Sequence, residues 1–227
     1  MKKIVIYGCG IGADVATRYI RSDKEDKICA YTADANYISN NNFMDLPLVA
    51  FEDIERQYPP DDYLMFIPLG SKAMNHLRAE KYQLAKDKGY TLYSYVSSKS
   101  FLHCDIDCGE NCFILEGQAI NFDVKIGNNV VMWSSNHVGD RTIIGDHVWL
   151  SSHVTIAGDA TIKDYCFLGI NATIANNIVL EQDTFVGATC FITKSTKKGE
   201  VYMQQGTKSC LNDSLAFCKM LDASHKL

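Results

Sequence analysis

The segment Trp133-Ser134-Ser135-Asn136-His137-Val138-Gly139-Asp140-Arg141 sets an imidazole and a carboxylate close together in the chain. Either group can take a proton from an ammonium of near-neutral pKa, whereas a hydroxyl nucleophile asks for a stronger base arrangement. His137 precedes the aliphatic Val138 and so points away from a packed interior. His147 and His153 each follow an aliphatic by three residues, at turn positions, and read as turn or subunit-contact residues. No three-histidine group has metal-ligand spacing, so no catalytic metal is expected.

A second candidate lies near the start. Gly8-Cys9-Gly10-Ile11-Gly12 follows the apolar run Lys3–Tyr7 and opens a helical stretch from Ala13 to about Ser22. Free N–H groups at a helix start favour phosphate. The spacing is G-x-G-x-G, not the G-x-G-x-x-G of dinucleotide sites, and Asp34 is only near the end of the second strand, Lys27–Tyr31. Gly70 follows the strand Tyr63–Pro68, at the edge where open α/β sheets bind ligands. Ser71, Lys72 and Asn75 come next, within reach of a phosphate or sugar.

Two kinds of element must position these groups. Over residues 1–98, strand and helix signals alternate: a short helix over Phe51–Gln57, a long amphipathic helix over Ser71–Lys88 stopped by Gly89, and a last strand over Tyr90–Val96. This βα series predicts a parallel sheet of Rossmann-like type. The period then changes. Fourteen aliphatic residues stand at an unbroken spacing of six, from Ile114 and Ile120 through Met132, Val138, Ile144 and Leu150 to Val186 and Ile192. Small residues often follow them (Gly127, Gly139, Gly145), and small or β-branched ones stand four further on (Val130, Val148, Ala160). Hairpins would place turns every 8–12 residues, so a strict six-residue period argues for a solenoid over about residues 99–195. Lys194-Ser195-Thr196-Lys197-Lys198-Gly199 breaks the repeat and opens a tail over 196–227. In it Asp213–Ala223 reads as a short helix with Asn212 or Asp213 as N-cap, which either caps the solenoid or packs on a neighbouring subunit.

Composition excludes several classes. The net charge of −5 argues against a general nucleic-acid binder. Apolar runs such as Tyr63–Leu69 fall far short of the ~20 residues of a membrane span. Met1–Gly8 looks superficially like a signal peptide, but its apolar stretch is short and runs into a glycine turn. The nine cysteines read as reduced, structural thiols of a cytoplasmic protein; Cys104 and Cys108 have no partner pair to complete a zinc site.

The six-residue repeat resembles the hexapeptide-repeat family, in which three hexapeptides form one triangular coil of a left-handed parallel β-helix. Ile4–Gly12, Leu69-Gly70-Ser71 and Val130 through Ala175 together resemble the NeuD/PglD-type sugar acyltransferases. That resemblance implies a homotrimer that transfers an acetyl group from acetyl-CoA to a nucleotide-linked amino sugar in surface-polysaccharide synthesis. The N-terminal domain would hold the nucleotide sugar, through Gly10, Ile11, Gly12, Asp34, Gly70 and Ser71. Acetyl-CoA would lie between two β-helices, with Trp149 and Ser151 near the thioester and pantetheine arm. Gly158, Gly169, Ile170 and Gly187 would meet the pantetheine amides, and Lys194, with Lys197 and Lys198, the CoA phosphates. The position of the family's base histidine is filled here by Asp140. Four options follow: His137 is the base, Asp140 is, Asp140 orients His137, or the amine arrives neutral and needs none. The same fold serves sugar O-acetyltransferases, of sialic acid for example, and non-catalytic scaffolds.

Overall fold

The computed structural model describes residues 1–103, 106–209 and 213–224, with only the backbone of 221–224. Cys104 and Asn212 lie outside the described residues.

The N-terminal half is built on a sheet of β1 (Lys3–Tyr7), β2 (Lys27–Ala33), β3 (Asn42–Phe43), β4 (Leu46–Ala50) and β5 (Leu64–Phe66), in the order β3-β4-β2-β1-β5. All pairings are parallel except the β3–β4 hairpin, in line with the expected parallel sheet. Helices α1 (Ile11–Asp23), α2 (Ile54–Gln57) and α3 (His76–Asp87) complete it. β1 is buried on both faces: Ile4 and Ile6 pack with α1 on one side, and Val5 and Tyr7 pack with Phe51, Ile54 and Tyr90 on the other.

Two elements differ from the sequence reading. α3 starts at His76, not Ser71, because Ala73, Met74 and Asn75 take left-handed backbone angles (φ 52°, 51° and 69°). The Tyr90–Val96 stretch splits. Leu92 makes a single bridge to Met65, whereas Tyr95–Val96 pairs with Phe113–Ile114 and forms the first rung of the second half.

That second half consists of two-residue rungs stacked into three parallel sheets of seven, six and five strands, which fit a left-handed β-helix. The first face carries Tyr95, Phe113, Val131, Trp149, Phe167, Phe185 and Val201 outward; the second runs from Phe101 to Phe191, and the third from Asp107 to Val179. Val131 pairs with Trp149 and Trp149 with Phe167, so one coil is 149 − 131 = 18 residues, or three hexapeptides. Every periodic aliphatic is the second residue of a rung and is buried in one continuous core.

Each corner turns through a left-handed residue three places after the aliphatic, for example Asn129, Arg141, His147, His153 and Tyr165 (φ 56–63°). For most side chains that conformation costs about 1–2 kcal/mol. Its N–H is turned onto the coil before: Arg141 donates to the Phe122 carbonyl at 2.9 Å and His147 to that of Asn128 at 2.8 Å. Small residues after the aliphatic serve a separate need, coil-to-coil approach. A Cβ on Gly139 would lie 2.5 Å from the Gly158 nitrogen, and one on Gly169 2.6 Å from that of Ala188. Cys112, Cys166 and Cys190 fill core positions, and the seven cysteines of the described residues are free thiols.

The tail helix α4 (Ser214–Ser224) is capped by Asp213, whose Oδ1 accepts the N–H groups of Leu215 (2.9 Å) and Ala216 (3.1 Å). Leu215 and Met220 stay exposed, so the helix does not seal the β-helix within this chain. Among the described residues, no helix is long and apolar enough to cross a membrane.

Gly139→Ala forces two coils apart and should destabilise the fold by about 2 kcal/mol. Gly158→Ala, whose Cβ would sit a tight 3.1 Å from the Asp140 carbonyl oxygen and need only a shift of a few tenths of an ångström, should cost less. Urea unfolding of the two variants checks the order.

Candidate functional site

β1 stands where the sheet changes direction, with β2 and β4 on one side and β5 on the other, so a crevice opens at the C-terminal strand ends. Two hollows meet there. One, of about 480 Å3, is walled by the Gly8–Gly12 loop, Asp34, Tyr37, Gly70, Lys72 and Lys81. The other, of about 290 Å3, lies against the first face of the β-helix, between Ile11, Val15 and Leu69 on one side and Phe113, Trp133 and Trp149 on the other. Ile11, Gly12, Pro68, Leu69 and Gly70 line both, so the hollows are contiguous.

The glycines of this crevice play different parts. A Cβ on Gly12 would strike the Pro68 carbonyl, so Gly12 lets α1 start against the β5 loop. Gly10 and Gly70 have nothing within 4 Å of where a Cβ would stand, and so keep their side of the hollow open. Ser71 follows Gly70 and is half-buried. Asn75 does not reach the crevice: it is buried, and its amide donates to the Tyr165 and Cys166 carbonyls at 3.3 and 3.4 Å.

The two halves are joined by Arg78, a residue the sequence reading missed. Its guanidinium is fully buried, with no carboxylate partner among the described residues. It donates to the carbonyls of Gly70 (3.1 Å), Asn129 (3.2 Å) and His147 (3.2 Å) and to the side-chain oxygens of Asn129 (3.1 Å) and Asn75 (3.2 Å). It also lies 5.5 Å from the centre of the Trp149 ring. Burial lowers its pKa to about 9. The available signal was helical spacing, since Arg78 shares a face of α3 with Tyr82 and Ala85.

His147 belongs to the same junction. It stacks on Tyr165 (4.8 Å between ring centres) and meets Tyr82 edge-on, and its Nδ1 lies 2.8 Å from Asn129 Nδ2. Burial lowers its pKa, and Arg78 adds to the shift. His153 is an exposed corner residue.

His137 and Asp140 sit on different surfaces of one coil. His137 is half-buried on the second face, between Ala119 and Thr155. Asp140 occupies the following corner, where its Oδ1 accepts the Phe122 N–H at 3.2 Å and its Oδ2 lies 3.4 Å from Asn121 Nδ2. The next corner repeats that contact: Asn128, Asp146 and Asp164 each accept an N–H from the coil before, at 3.0, 2.6 and 2.9 Å. Asp140 therefore caps a coil as well as offering a carboxylate.

The residues expected around acetyl-CoA fall on two corners flanking the second face. Ser151, Gly169, Ile170 and Gly187 follow rungs of the first face. Gly158 and Lys194 follow rungs of the second, in one column with the candidate base Asp140 at multiples of the coil length. The missing side chains of Gly169 and Gly187 are accounted for by coil stacking. Trp149 faces the N-terminal half, with its Nε1 3.3 Å from Ser151 Oγ. Ile170 and Lys194 are exposed. Among the described residues no three His, Cys, Asp or Glu side chains are grouped to hold a metal ion.

Arg78→Met should destabilise the chain by about 3 kcal/mol, because it strands the buried oxygens that the guanidinium satisfies. Calorimetric unfolding checks this; a loss under about 1 kcal/mol would contradict the role of Arg78 as the joint.

No protein-family model matches the sequence, and no curated protein does. Solved structures share the fold. The acetyltransferase domain of PglB from Neisseria gonorrhoeae superposes with a TM-score of 0.76 at 13% identity, over 88% of this chain and 96% of that one. A single-residue mutant of perosamine N-acetyltransferase from Caulobacter crescentus, in complex with CoA and GDP-perosamine, gives 0.77 at 20% over 88% and 93%. WeeI from Acinetobacter baumannii gives 0.75 at 18% over 88% and 96%.

Proposed function

We propose that this chain is an acyltransferase that moves an acetyl group from acetyl-CoA to the amine of a nucleotide-linked sugar. The observation that carries the reading is the pair of contiguous hollows. A glycine loop at a helix start, with Lys72 and Lys81 beside it, suits a diphosphate. The neighbouring hollow, walled by two indoles and aliphatic side chains, suits a sugar ring held against the β-helix. The likeness of fold to structures described as acetyltransferases, one of them a perosamine N-acetyltransferase, supports it. In this reading the N-terminal sheet serves as a Rossmann-like holder of the nucleotide sugar.

Asp140 is the proton acceptor in this proposal, supplied to the sugar by a second copy, because within one chain it stands at the corner after the second face and does not line the hollow on the first. It needs no imidazole relay, since its oxygens face Phe122 and Asn121. An amine acceptor suits a carboxylate base better than a hydroxyl does, which favours N- over O-acylation. The two acetyl-CoA columns lie on opposite edges of one face, so a single groove can use both only if a second copy brings its own edge alongside. That requirement favours a closed homo-oligomer such as a trimer.

The test is release of free thiol from acetyl-CoA with UDP-, dTDP- and GDP-linked amino sugars. Release is expected with at least one of them, and none with any would overturn the reading. Asp140→Asn separates the two roles of this residue, because an amide oxygen still accepts the Phe122 N–H, as Asn128 does for Glu110. Its stability should stay within about 0.5 kcal/mol of the parent. Its kcat should fall by about a hundredfold or more, the usual contribution of a general base. Full activity in Asp140→Asn with loss in His137→Ala would move the role to His137.

A further inference from the structure

Two exposed apolar surfaces lie near the C-terminal end of the described residues. Phe191, Val201 and Met203 of the last coil are each more than half exposed. They share one edge of the β-helix: Val201 stacks on Phe185 at the end of the first face, Met203 lies over Gly187, and Phe191 opens the last rung of the second face. Leu215, Phe217 and Met220 of α4 are exposed as well. Phe217 and Met220 stand three residues apart and so lie on one side of the helix. Neither surface covers the other within the chain. At 11 residues, α4 is shorter than the roughly 12–15 that an isolated helix needs to hold in water, so its order depends on burying that side.

We infer that α4 of one copy packs on the last coil of a second copy, with Phe217 and Met220 against Phe191, Val201 and Met203. This rests on the second-copy requirement above and names the segment that holds the copies together. The edge α4 covers is the one where a second copy must already stand, beside Ser151, Gly169 and Gly187. The eleven residues between Tyr202 and Ser214 can span at most about 40 Å, enough to reach a neighbour. A contact of helix on coil is heterologous, so it repeats from copy to copy until a ring closes. Lys219 is the one charge among the side chains described on α4, whereas a helix that lies on a membrane carries a basic face. Because Asp140 comes from the second copy, α4 holds together a site that one chain does not complete.

The test uses the full chain carrying Met203→Cys, which sets a thiol on the last coil to meet the exposed thiol of Cys218 on α4. A short bismaleimide should join two chains, read as a doubled mass on a denaturing gel, and adding Cys218→Ser should abolish that band. Cross-linking only within one chain, or none at all, overturns the inference. In the otherwise unchanged chain, Phe217→Asp should raise the concentration at which the oligomer dissociates by about tenfold or more, followed by light scattering on dilution, and Phe217→Leu should leave it in place. Equal dissociation of the parent and Phe217→Asp overturns the inference, as does binding of the parent but not Phe217→Asp to phosphatidylserine vesicles. The specific activity of Phe217→Asp should fall at dilutions that spare the parent and recover on concentration. The cross-link and the dilution effect without thiol release from acetyl-CoA would overturn acyl transfer and leave the contact standing. Thiol release with neither would do the reverse.

Discussion

The fold depends on closing one coil in eighteen residues. Three short rungs leave only four residues for each corner, and a corner that tight needs a left-handed residue. Asn and Asp adopt that conformation cheaply, but His147, His153, Tyr165 and Arg141 adopt it too. They are held because each N–H satisfies a carbonyl one coil back while the aliphatic two-residue rungs stack beneath. The corner strain and the stacking gain are inseparable, so the core and the surface columns share one period.

That period turns sequence distance into position. Residues eighteen apart lie one above another, which is why Asp140, Gly158 and Lys194 form a column and why Phe113, Val131 and Trp149 make one continuous wall. The N-terminal sheet packs its α1 side on that wall, with Tyr95 and Phe113 inside the shared core. Arg78 locks the contact with five hydrogen bonds to neutral oxygens. A buried charge without a counter-ion is costly in isolation, and here polar oxygens and an indole face offset that cost. The crevice between the halves thus owes its shape to one cation that lines neither hollow.

Polar groups near the crevice hold structure before they do chemistry. Asp140 caps a coil, Asp34 anchors a lysine, and Asn75 ties α3 to the β-helix. Substitutions that preserve hydrogen-bonding shape while removing charge or basicity are therefore more informative than truncations, which would confuse lost folding with lost function.

The sequence by itself determined a solenoid over the periodic residues, because a strict six-residue aliphatic period is buried by stacking one unit on the next, and the resemblance to hexapeptide-repeat proteins implied that it is a β-helix. It also determined that Gly8–Gly12 opens a helix after a strand and that the tail helix is capped at Asn212 or Asp213, since both are local backbone matters; the structure gives Asp213. Only the tertiary structure decided that Tyr95–Val96 belongs to the second half, that α3 starts after three left-handed residues, and that Arg78 and His147 are junction residues. It alone paired Asp34 with Lys81 and drew Trp133 and Trp149 to one cavity wall. The physical reason is range. Periodicity and capping act between neighbours in the chain, whereas Lys81 and Asp34 are 47 residues apart and meet only because a sheet and a helix fold between them.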